Sequence, residues 1–296
     1  MKPQWRPAPR RAAPFGRIAM LDPRHTSVAL IAVAGLATMA LLQGFAAPPL
    51  DDGLVRIEET TVTYREPGEY LDGGRPVNGP MSEVFADAPL FIMKRQVLRA
   101  EYDLCVADSR CKALDGPQDG SLPVVGTSYE DAVAYATWLS ATSGDHWRLP
   151  TDREWALAAG SRYRDDALTE ISDPANPARR WIAVYDAEAA NDQEIDPQPR
   201  PAGSFGANEH GLLDLAGNVW EWTSTCYARH RTDPATGLAT TIENCGVRIA
   251  EGRHRAYMTT FFRDPKSGAC SVGVPPANLG LRLVREAGGL RRWLGF

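Results

Sequence analysis

The stretch from Gly211 to Trp222, Gly-Leu-Leu-Asp-Leu-Ala-Gly-Asn-Val-Trp-Glu-Trp, holds two carboxylates on either side of a glycine turn. Asp214 and Glu221 are seven residues apart, and Trp220 and Trp222 flank the glutamate. In an extended chain this period of two directs both indole rings to one face and the carboxylate to the other. A carboxylate among buried aromatic side chains needs a cation or a set of hydrogen-bond donors. The stretch therefore predicts a tightly packed turn around a buried acidic group.

Two interpretations of this acidic pair are open. Calcium takes roughly 6–8 oxygen ligands, and Asp214, Glu221 and the carbonyls freed by the turn form an oxygen-rich set. In the alternative, the carboxylates accept hydrogen bonds from backbone amides and bind no metal. The spacing alone is compatible with both.

The composition is typical of a loop-rich α+β domain. The chain has 296 residues and is 44% hydrophobic, enough for one domain of ordinary core size or for two. It contains 26 glycines and 23 prolines, which indicate many turns. Long stretches of helical periodicity are scarce, so short strands and a few helices are expected.

The first fifty residues differ from the rest. They hold six basic residues and one acidic residue and so carry a net charge of +5. Because the whole chain carries −5, the remaining residues carry −10. Residues 26–48 are uncharged and apolar, and a membrane-spanning helix needs about 20 such residues. The basic residues before them predict a cytoplasmic N-terminus at residues 1–25, an inner-membrane anchor and a periplasmic domain. In the alternative, the segment is a signal peptide cleaved near residues 44–46, which releases the domain into the periplasm.

The exported part has two further features, its cysteines, which bear on disulfide formation, and its negative charge, which bears on the class of partner. Disulfides persist in an oxidising compartment, and Cys105 and Cys111 are predicted to bridge locally. Two of the three other cysteines, Cys226, Cys245 and Cys270, can pair and leave one odd thiol. The acidic domain has no basic stripe to neutralise phosphates, which argues against nucleic acid as a partner.

Local patterns predict the elements. Capping pairs, in which a hydroxyl precedes a carboxylate by three residues, predict helix starts at Ser128 and Thr151. A further helix is expected from Arg99 to Ala107. Strands are predicted at residues 54–57, 60–64, 89–93 and 278–284, and residues 181–185 are predicted to be extended. Loops are predicted at residues 65–80, at residues 161–180 and between Tyr227 and Cys245.

Three blocks in this order resemble the formylglycine-generating enzyme, or sulfatase-modifying factor, family. The first runs through residues 123–138 and continues with Arg-Leu-Pro-Thr at 148–151, the second is the opening stretch, and the third is Asn-Leu-Gly-Leu-Arg at 278–282. Residues 93–106 resemble the first helix of the family. The resemblance covers roughly residues 52–286, leaves residues 287–296 as a tail, and implies a C-type-lectin-like α+β fold with little regular secondary structure.

The resemblance also implies calcium sites. Carried over by position, the first set of ligands would be the side chains of Asp214 and Glu221 and the carbonyls of Gly217 and Val219. This agrees with the oxygen-rich set found from the residues alone. A second set would begin at Asn191 and the carbonyl of Asp192, although the segment that completes it in the family is shortened here.

One departure from the family bears on the chemistry. Formylglycine-generating members carry two cysteines, with four residues between them, that bind Cu(I), a soft ion suited to thiolates. The matching region, residues 252–260, has no cysteine. Cys245 and Cys270 bracket it, but their separation of 25 residues is typical of a disulfide. The resemblance therefore implies a member that does not use the two-cysteine copper mechanism, and the sequence does not identify another redox metal.

Two functions follow as hypotheses. The first is a membrane-tethered oxidoreductase or maturation factor that acts on a peptide or protein in a groove formed by residues 252–263 and 268–277. Its candidate catalytic residues are His254, Arg255, Tyr257 and Arg263, because histidine is the usual acid or base near neutral pH. The alternative is a non-catalytic C-type-lectin-like binding module or assembly partner for another exported protein.

Overall fold

The chain folds into a mixed α/β domain in the computed structural model, which describes residues 53–167, 169–171, 176–191, 198–263 and 278–286. The chain divides into two compact units, Met1–Ala46 and Ala47–Phe296, and every described residue belongs to the second. The predicted N-terminal segments and the tail lie outside the described residues. None of the described helices has the length and apolar character needed to cross a membrane.

The elements of the described residues are short except for one long hairpin. The helices are α1 (Arg99–Ala107), α2 (Tyr129–Ser143), α3 (Asp152–Ala159) and α4 (Pro177–Asn191). The strands are β1 (Leu54–Ile57), β2 (Thr61–Arg65), β3 (Glu69–Asp72), β4 (Arg75–Val77), β5 (Met81–Phe85), β6 (Leu90–Met93), β7 (Trp147–Arg148), β8 (Trp220–Thr232), β9 (Ala239–Glu251), β10 (Arg255–Thr259), β11 (Leu279–Gly280) and β12 (Val284–Arg285).

Strand β8 is the centre of the largest sheet. This sheet has the order β10-β9-β8-β3-β4, and β11 runs parallel to the start of β8. The other sheets are β1-β6-β12-β7 and the pair β2-β5. Strands β8 and β9 form the long antiparallel hairpin, whose register shifts on both sides of Cys226. The predicted acidic turn therefore enters the middle of the domain.

Two hydrophobic clusters meet at this turn. Trp220 and Trp222 belong to one cluster, and Leu212 and Trp155 belong to the other. Trp222 and Trp155 have no exposed surface, and Glu221 between the two tryptophans is 1% exposed. The Glu221 carboxylate contacts the indole N–H of Trp155. It therefore points away from the cluster that contains Trp220 and Trp222. The predicted alternation along residues 220–222 is confirmed.

Both predicted capping pairs begin helices. The hydroxyl of Ser128 accepts a hydrogen bond from the Asp131 amide at 3.1 Å, and the Asp131 carboxylate accepts one from the Ser128 amide at 3.0 Å. At the start of α3, Thr151 and Glu154 make the same reciprocal pair. Helix α2 ends at Gly144, whose φ of 78° suits a residue without a β-carbon.

Three local predictions are wrong. Residues 181–185 lie in α4 and are not extended, and the last four residues of the predicted loop at 161–180 belong to the same helix. Pro177 takes the first position of this helix, where its missing N–H costs nothing. The aromatic residues that imitate a strand pattern are Trp181 and Tyr185, which stack one turn apart with ring centroids at 6.3 Å.

The other two corrections concern predicted loops that form strands. Residues 65–80 contain the β3–β4 hairpin, and the segment from Tyr227 to Cys245 contains most of the β8–β9 hairpin. Much of both hairpins is exposed and polar. Pairing with neighbouring strands holds them, and sequence patterns do not contain that information.

Two disulfides link described residues. Cys105 and Cys111 form the predicted local bridge. Cys226 on β8 pairs with Cys245 on β9 across the long hairpin. The 25-residue spacing of Cys245 and Cys270 therefore does not mark a bridge, because Cys245 already has a partner. Cys270 lies outside the described residues.

Candidate functional site

Glu221 is held by four N–H groups in the interior. Arg282 binds both of its carboxylate oxygens, Nε to Oε2 and Nη2 to Oε1, each at 3.0 Å. Trp155 Nε1 and Gln96 Nε2 donate to the same two oxygens at 2.8 Å. A carboxylate has about four lone-pair sites, and these donors use them all. The cation that the buried glutamate requires is therefore a guanidinium of the same chain.

Asp214 is fully buried and lies at the other end of the turn. Its carboxylate accepts hydrogen bonds from the amides of Gly203 at 2.6 Å and Phe205 at 2.8 Å. Its own φ of 60° belongs to the left-handed region. For this residue the contacts match the alternative interpretation, a turn whose carboxylate binds backbone amides.

The predicted calcium ligands lie in one turn but do not form an open cage of oxygens. Glu221 does not fit as a ligand where it lies, because Arg282 supplies the positive charge and N–H groups fill its lone pairs. In the described ranges, no group of three or more His, Cys, Asp or Glu side chains could hold a metal ion. Asn191 is the last residue of α4, and Asp192 lies outside the described residues. Calcium binding, at Gly217 and Val219 included, stays a prediction.

Arg255 is the centre of a second buried ion cluster. Its guanidinium donates to Asp152 Oδ2 at 2.7 Å, to Glu251 Oε1 at 3.2 Å and to Asp166 Oδ1 at 3.2 Å. The side chains of Arg255, Asp152 and Glu251 have no exposed surface. Arg255 therefore holds β10, β9 and α3 together and is not free to act on a ligand.

Asp152 and Glu251 both bind Arg255, and each keeps one buried oxygen without a partner. Asp152 Oδ1 and Glu251 Oε2 are buried and have no hydrogen-bond partner, whereas the other oxygen of each accepts from Arg255. Burial, and then the negative charge of Asp152, raise the pKa of Glu251 well above its usual range. The protonated form of Glu251 is therefore favoured over that of an exposed glutamate, and its hydroxyl is a hydrogen-bond donor that the ionised pair lacks.

Tyr257 joins this cluster to a cavity of about 280 Å³ at the surface. Its hydroxyl donates to Asp166 Oδ2 at 2.6 Å and accepts from the Gly68 amide at 2.8 Å. Burial raises the pKa of Tyr257 well above its usual range, with the negative charge of Asp166 next in effect, so the hydroxyl keeps its proton. Tyr70 and Tyr227 also line this tyrosine cavity.

The four candidate catalytic residues do not converge. Arg255 and Tyr257 both contact Asp166, but His254 and Arg263 do not line the tyrosine cavity. His254 Nδ1 lies 2.8 Å from the Arg255 carbonyl, which can only accept, so this nitrogen carries a proton. Arg263 makes a two-point pair with Asp131 at 2.7 and 2.9 Å, at the start of α2. Residues 268–277 of the predicted groove lie outside the described residues.

The sequence did not indicate the partners of Arg255. Asp152 directly follows the capping residue Thr151, and Glu251 and Asp166 belong to no sequence motif. The three carboxylates that meet at Arg255 are between 4 and 103 positions from it in the chain. Short-range patterns cannot show such contacts.

These features define a disulfide-linked, loop-rich α/β domain with two buried arginine–carboxylate clusters and a small cavity lined by tyrosines. Residues 47–287 match the family described as the sulfatase-modifying factor enzyme 1-like domain. The match spans most of the sequence, so the chain belongs to that family. This confirms the resemblance found from the three sequence blocks.

Several known proteins are similar to parts of the chain. The formylglycine-generating enzyme of Mycobacterium tuberculosis is 41% identical over 119 residues, which are 38% of this chain and 36% of that protein. The inactive C-alpha-formylglycine-generating enzyme 2 of Mus musculus is 30% identical over 183 residues, or 58% and 54% of the two chains. The chain thus spans about half or less of the length of these relatives.

A solved structure shares the fold. PvdO from Pseudomonas aeruginosa superposes with a TM-score of 0.50 at 21% identity, over 79% of this chain and 94% of that one. At this level of identity the likeness concerns the fold alone.

Proposed function

We propose that this protein is a non-catalytic binding or maturation partner of another exported protein. The observation that carries the proposal is the state of the cysteines. The two disulfides use four of the five cysteines in the sequence, which leaves no second thiol to pair with Cys270. A copper centre made of two thiolates therefore cannot form while these bridges are intact.

The candidate catalytic residues support the same proposal. Arg255 is saturated by three carboxylates, and Arg263 is paired with Asp131 at a helix start. The His254 ring packs edge-on against Trp220, with centroids 5.7 Å apart, and its Nδ1 is bound to a carbonyl. These side chains stabilise the scaffold, and they leave little free hydrogen-bonding capacity for acid–base chemistry.

A polypeptide is the natural class of partner. Similar proteins are named formylglycine-generating enzymes, and formylglycine is an amino-acid residue. One similar mouse protein is named an inactive member, which is in keeping with a protein that retains the scaffold and lacks the activity. The tyrosine cavity supplies a concave surface for one side chain of such a partner.

We further propose that the domain works in the periplasm, tethered by residues 26–48. Support comes from the apolar segment with its preceding positive charge and from two disulfides, which persist in oxidising compartments. A phosphatase reporter that is active only outside the cytoplasm, fused after residue 286, tests export. The N-terminal sequence of the mature protein then separates an anchor from a cleaved signal.

Partner capture tests the binding proposal. The tagged full chain, solubilised from membranes, is expected to retain a stable exported protein, and the H254A variant is expected to retain it equally well. Oxygen uptake with candidate peptides and added redox metals is measured on the same samples. Uptake that disappears in H254A would establish the oxidoreductase alternative instead.

A further inference from the structure

The tyrosine cavity is bounded by parts of the chain that carry none of the family's sequence blocks. Its walls are the β3–β4 hairpin, the loop at residues 66–68 and residues 166–167, and Tyr227 and Tyr257 lie on the sheet below. Its volume of about 280 Å³ is at the small end of ligand pockets, which span about 300–1,000 Å³. It suits a single side chain better than a large cofactor.

The N–H donors of the lining are already used. Arg65 donates to Asp165 at 2.8 Å and to the Gly79 carbonyl at 2.8 Å, and it also contacts Glu170. Arg180 donates to Asn78 Oδ1 at 2.7 Å. Because these guanidinium groups are turned towards protein oxygens, the cavity is poorly suited to an anion such as phosphate.

The acceptors of the lining are more available. Glu66 lines the cavity, is exposed, and has no hydrogen bond or ion pair from its carboxylate to any described residue. Glu69 accepts from the hydroxyl of Tyr227 at 3.1 Å and contacts Arg229, yet 34% of its side chain is exposed. Asp166 is also 23% exposed at the cavity. Oxygen atoms with spare lone pairs thus dominate the accessible polar surface.

The net charge of the residues around the cavity is also negative. Among the described residues, the lining holds two arginines and three carboxylates, which gives a net charge of −1. The partners of these groups outside the lining add two arginines and two carboxylates, and the sum stays at −1. A group that is positively charged and rich in N–H donors complements this surface.

We propose that the tyrosine cavity binds a single ammonium or guanidinium group, presented as a lysine or arginine side chain of a peptide. Glu66 is the principal contact, and Glu69 and Asp166 lie beside it. The tyrosine hydroxyls hold the last two carboxylates in place from below. This inference deepens the proposed function, because it names the feature of the polypeptide partner that is recognised.

Short peptides test the inference on the solubilised full chain. The probes are acetyl-Gly-Arg-Gly-amide and the citrulline peptide of the same shape, which lacks the positive charge. Binding is followed by saturation-transfer NMR and calorimetry. The arginine peptide is expected to bind about five-fold or more tightly than the citrulline peptide, with a preference that shrinks as salt rises. Equal binding of the two peptides, or no binding of the arginine peptide, would overturn the inference.

Two variants of Glu66 locate the site. Since Glu66 has no described side-chain partner, E66Q is expected to fold normally and to weaken the arginine peptide about two- to five-fold. E66R, which reverses the charge, is expected to abolish the preference for arginine. The matched control is E83Q, which removes an exposed carboxylate on β5 outside the cavity and is expected to change nothing. If E83Q weakens binding as much as E66Q, the effect is one of net charge and the site is wrong.

Partner capture keeps this inference separate from the proposed function. If the full chain captures an exported protein and E66R captures it equally well, the binding function stands and the basic-residue site falls. If no partner is captured but the arginine peptide binds through Glu66, the site stands and the proposed function falls.

Discussion

Two fully buried arginines set the electrostatics of the interior. Arg282 neutralises Glu221 with a two-point pair, whereas Arg255 faces Asp152, Glu251 and Asp166. Buried charges of this kind are strongly destabilising when one partner is removed. At the residue scale the two clusters differ in one respect, because the second contains more carboxylates than cations, and burial beside Asp152 raises the pKa of Glu251.

Glu251→Gln tests whether Glu251 keeps its proton in the folded domain. A glutamine has nearly the same shape, cannot ionise, and carries an N–H donor on the side chain. In the wild type, the unfolded chain releases this proton above the usual pKa of 4.5, but the folded domain keeps it, so stability falls as pH rises from that value. E251Q has no such proton and is expected to melt close to wild type near about pH 5 and a few degrees higher near about pH 8.

Thermal melts at several pH values measure this difference. The control is E243Q on the exposed part of β9, which should follow the wild type throughout. A melting temperature of E251Q that runs parallel to wild type over the whole range would show that Glu251 is ionised in the folded domain.

Removal of the Arg282 side chain should strongly lower the free energy of unfolding. R282A leaves Glu221 buried with its two remaining neutral donors and no cation. Breaking a buried pair in this way costs about 3–5 kcal/mol. The comparison is R285A, which removes a half-exposed pair with Asp145 at 3.3 Å and should cost about 0–1 kcal/mol. Urea unfolding of both variants gives the two values, and similar costs would contradict the assigned role of Arg282.

At the scale of an element, helix α2 likewise depends on a buried carboxylate that has several partners. Its capping pair, Ser128 and Asp131, satisfies amides that the first turn leaves without partners. Arg263 binds the same Asp131 from outside the helix. These hydrogen bonds and the ion pair hold the pKa of Asp131 below its usual value although burial opposes them. One carboxylate thus serves both the helix and its attachment to the segment after β10.

Ser128→Ala removes the capping hydroxyl and should destabilise the domain by about 1 kcal/mol. Thr137→Ala is the matched change in the middle of the same helix, where an exposed hydroxyl returns to the Val133 carbonyl at 2.8 Å. That change should be neutral or slightly stabilising, because alanine has the higher helix propensity. Chemical denaturation separates the two, and an equal cost would mean that the cap contributes nothing.

At the scale of the whole molecule, internal hydrogen bonds and an ion pair hold the turn where the sequence predicts a metal. Calcium at 100 times its dissociation constant stabilises a folded domain by about 2.7 kcal/mol, or about 5–10 °C in a domain of this size. Arg282 already supplies the charge that Glu221 requires. If calcium is bound, its removal should lower the melting temperature, whereas these contacts predict no change. The difference is large enough to measure.

Chelation decides between them. With the hydrogen bonds around Glu221 and Asp214 as they are, EGTA should leave the melting temperature of the full chain unchanged. The control is a melt with EGTA and excess calcium, which corrects for the buffer. A loss of several degrees that calcium restores would place the ion in the turn after all and would require Glu221 to exchange a donor for it.

The local signals decided a large part of the fold. The capping pairs at Ser128 and Thr151, the glycine after α2, the period-two tryptophans and the Cys105–Cys111 spacing each depend on residues a few positions apart. For that reason the sequence by itself determined where α2 and α3 begin, that the two indole rings and the carboxylate take opposite sides of β8, and which family the chain belongs to.

Only the tertiary structure decided which groups meet at the site. The partners of Glu221 lie up to 125 positions away, and Arg255 meets Asp152 across 103 positions. Whether a carboxylate faces a metal, a guanidinium or a second carboxylate depends on how distant strands are packed. Charge in a low-dielectric interior is governed by such distances and not by neighbours in the chain, so the sequence showed that Glu221 needs a cation or a set of donors but not that Arg282 is the cation.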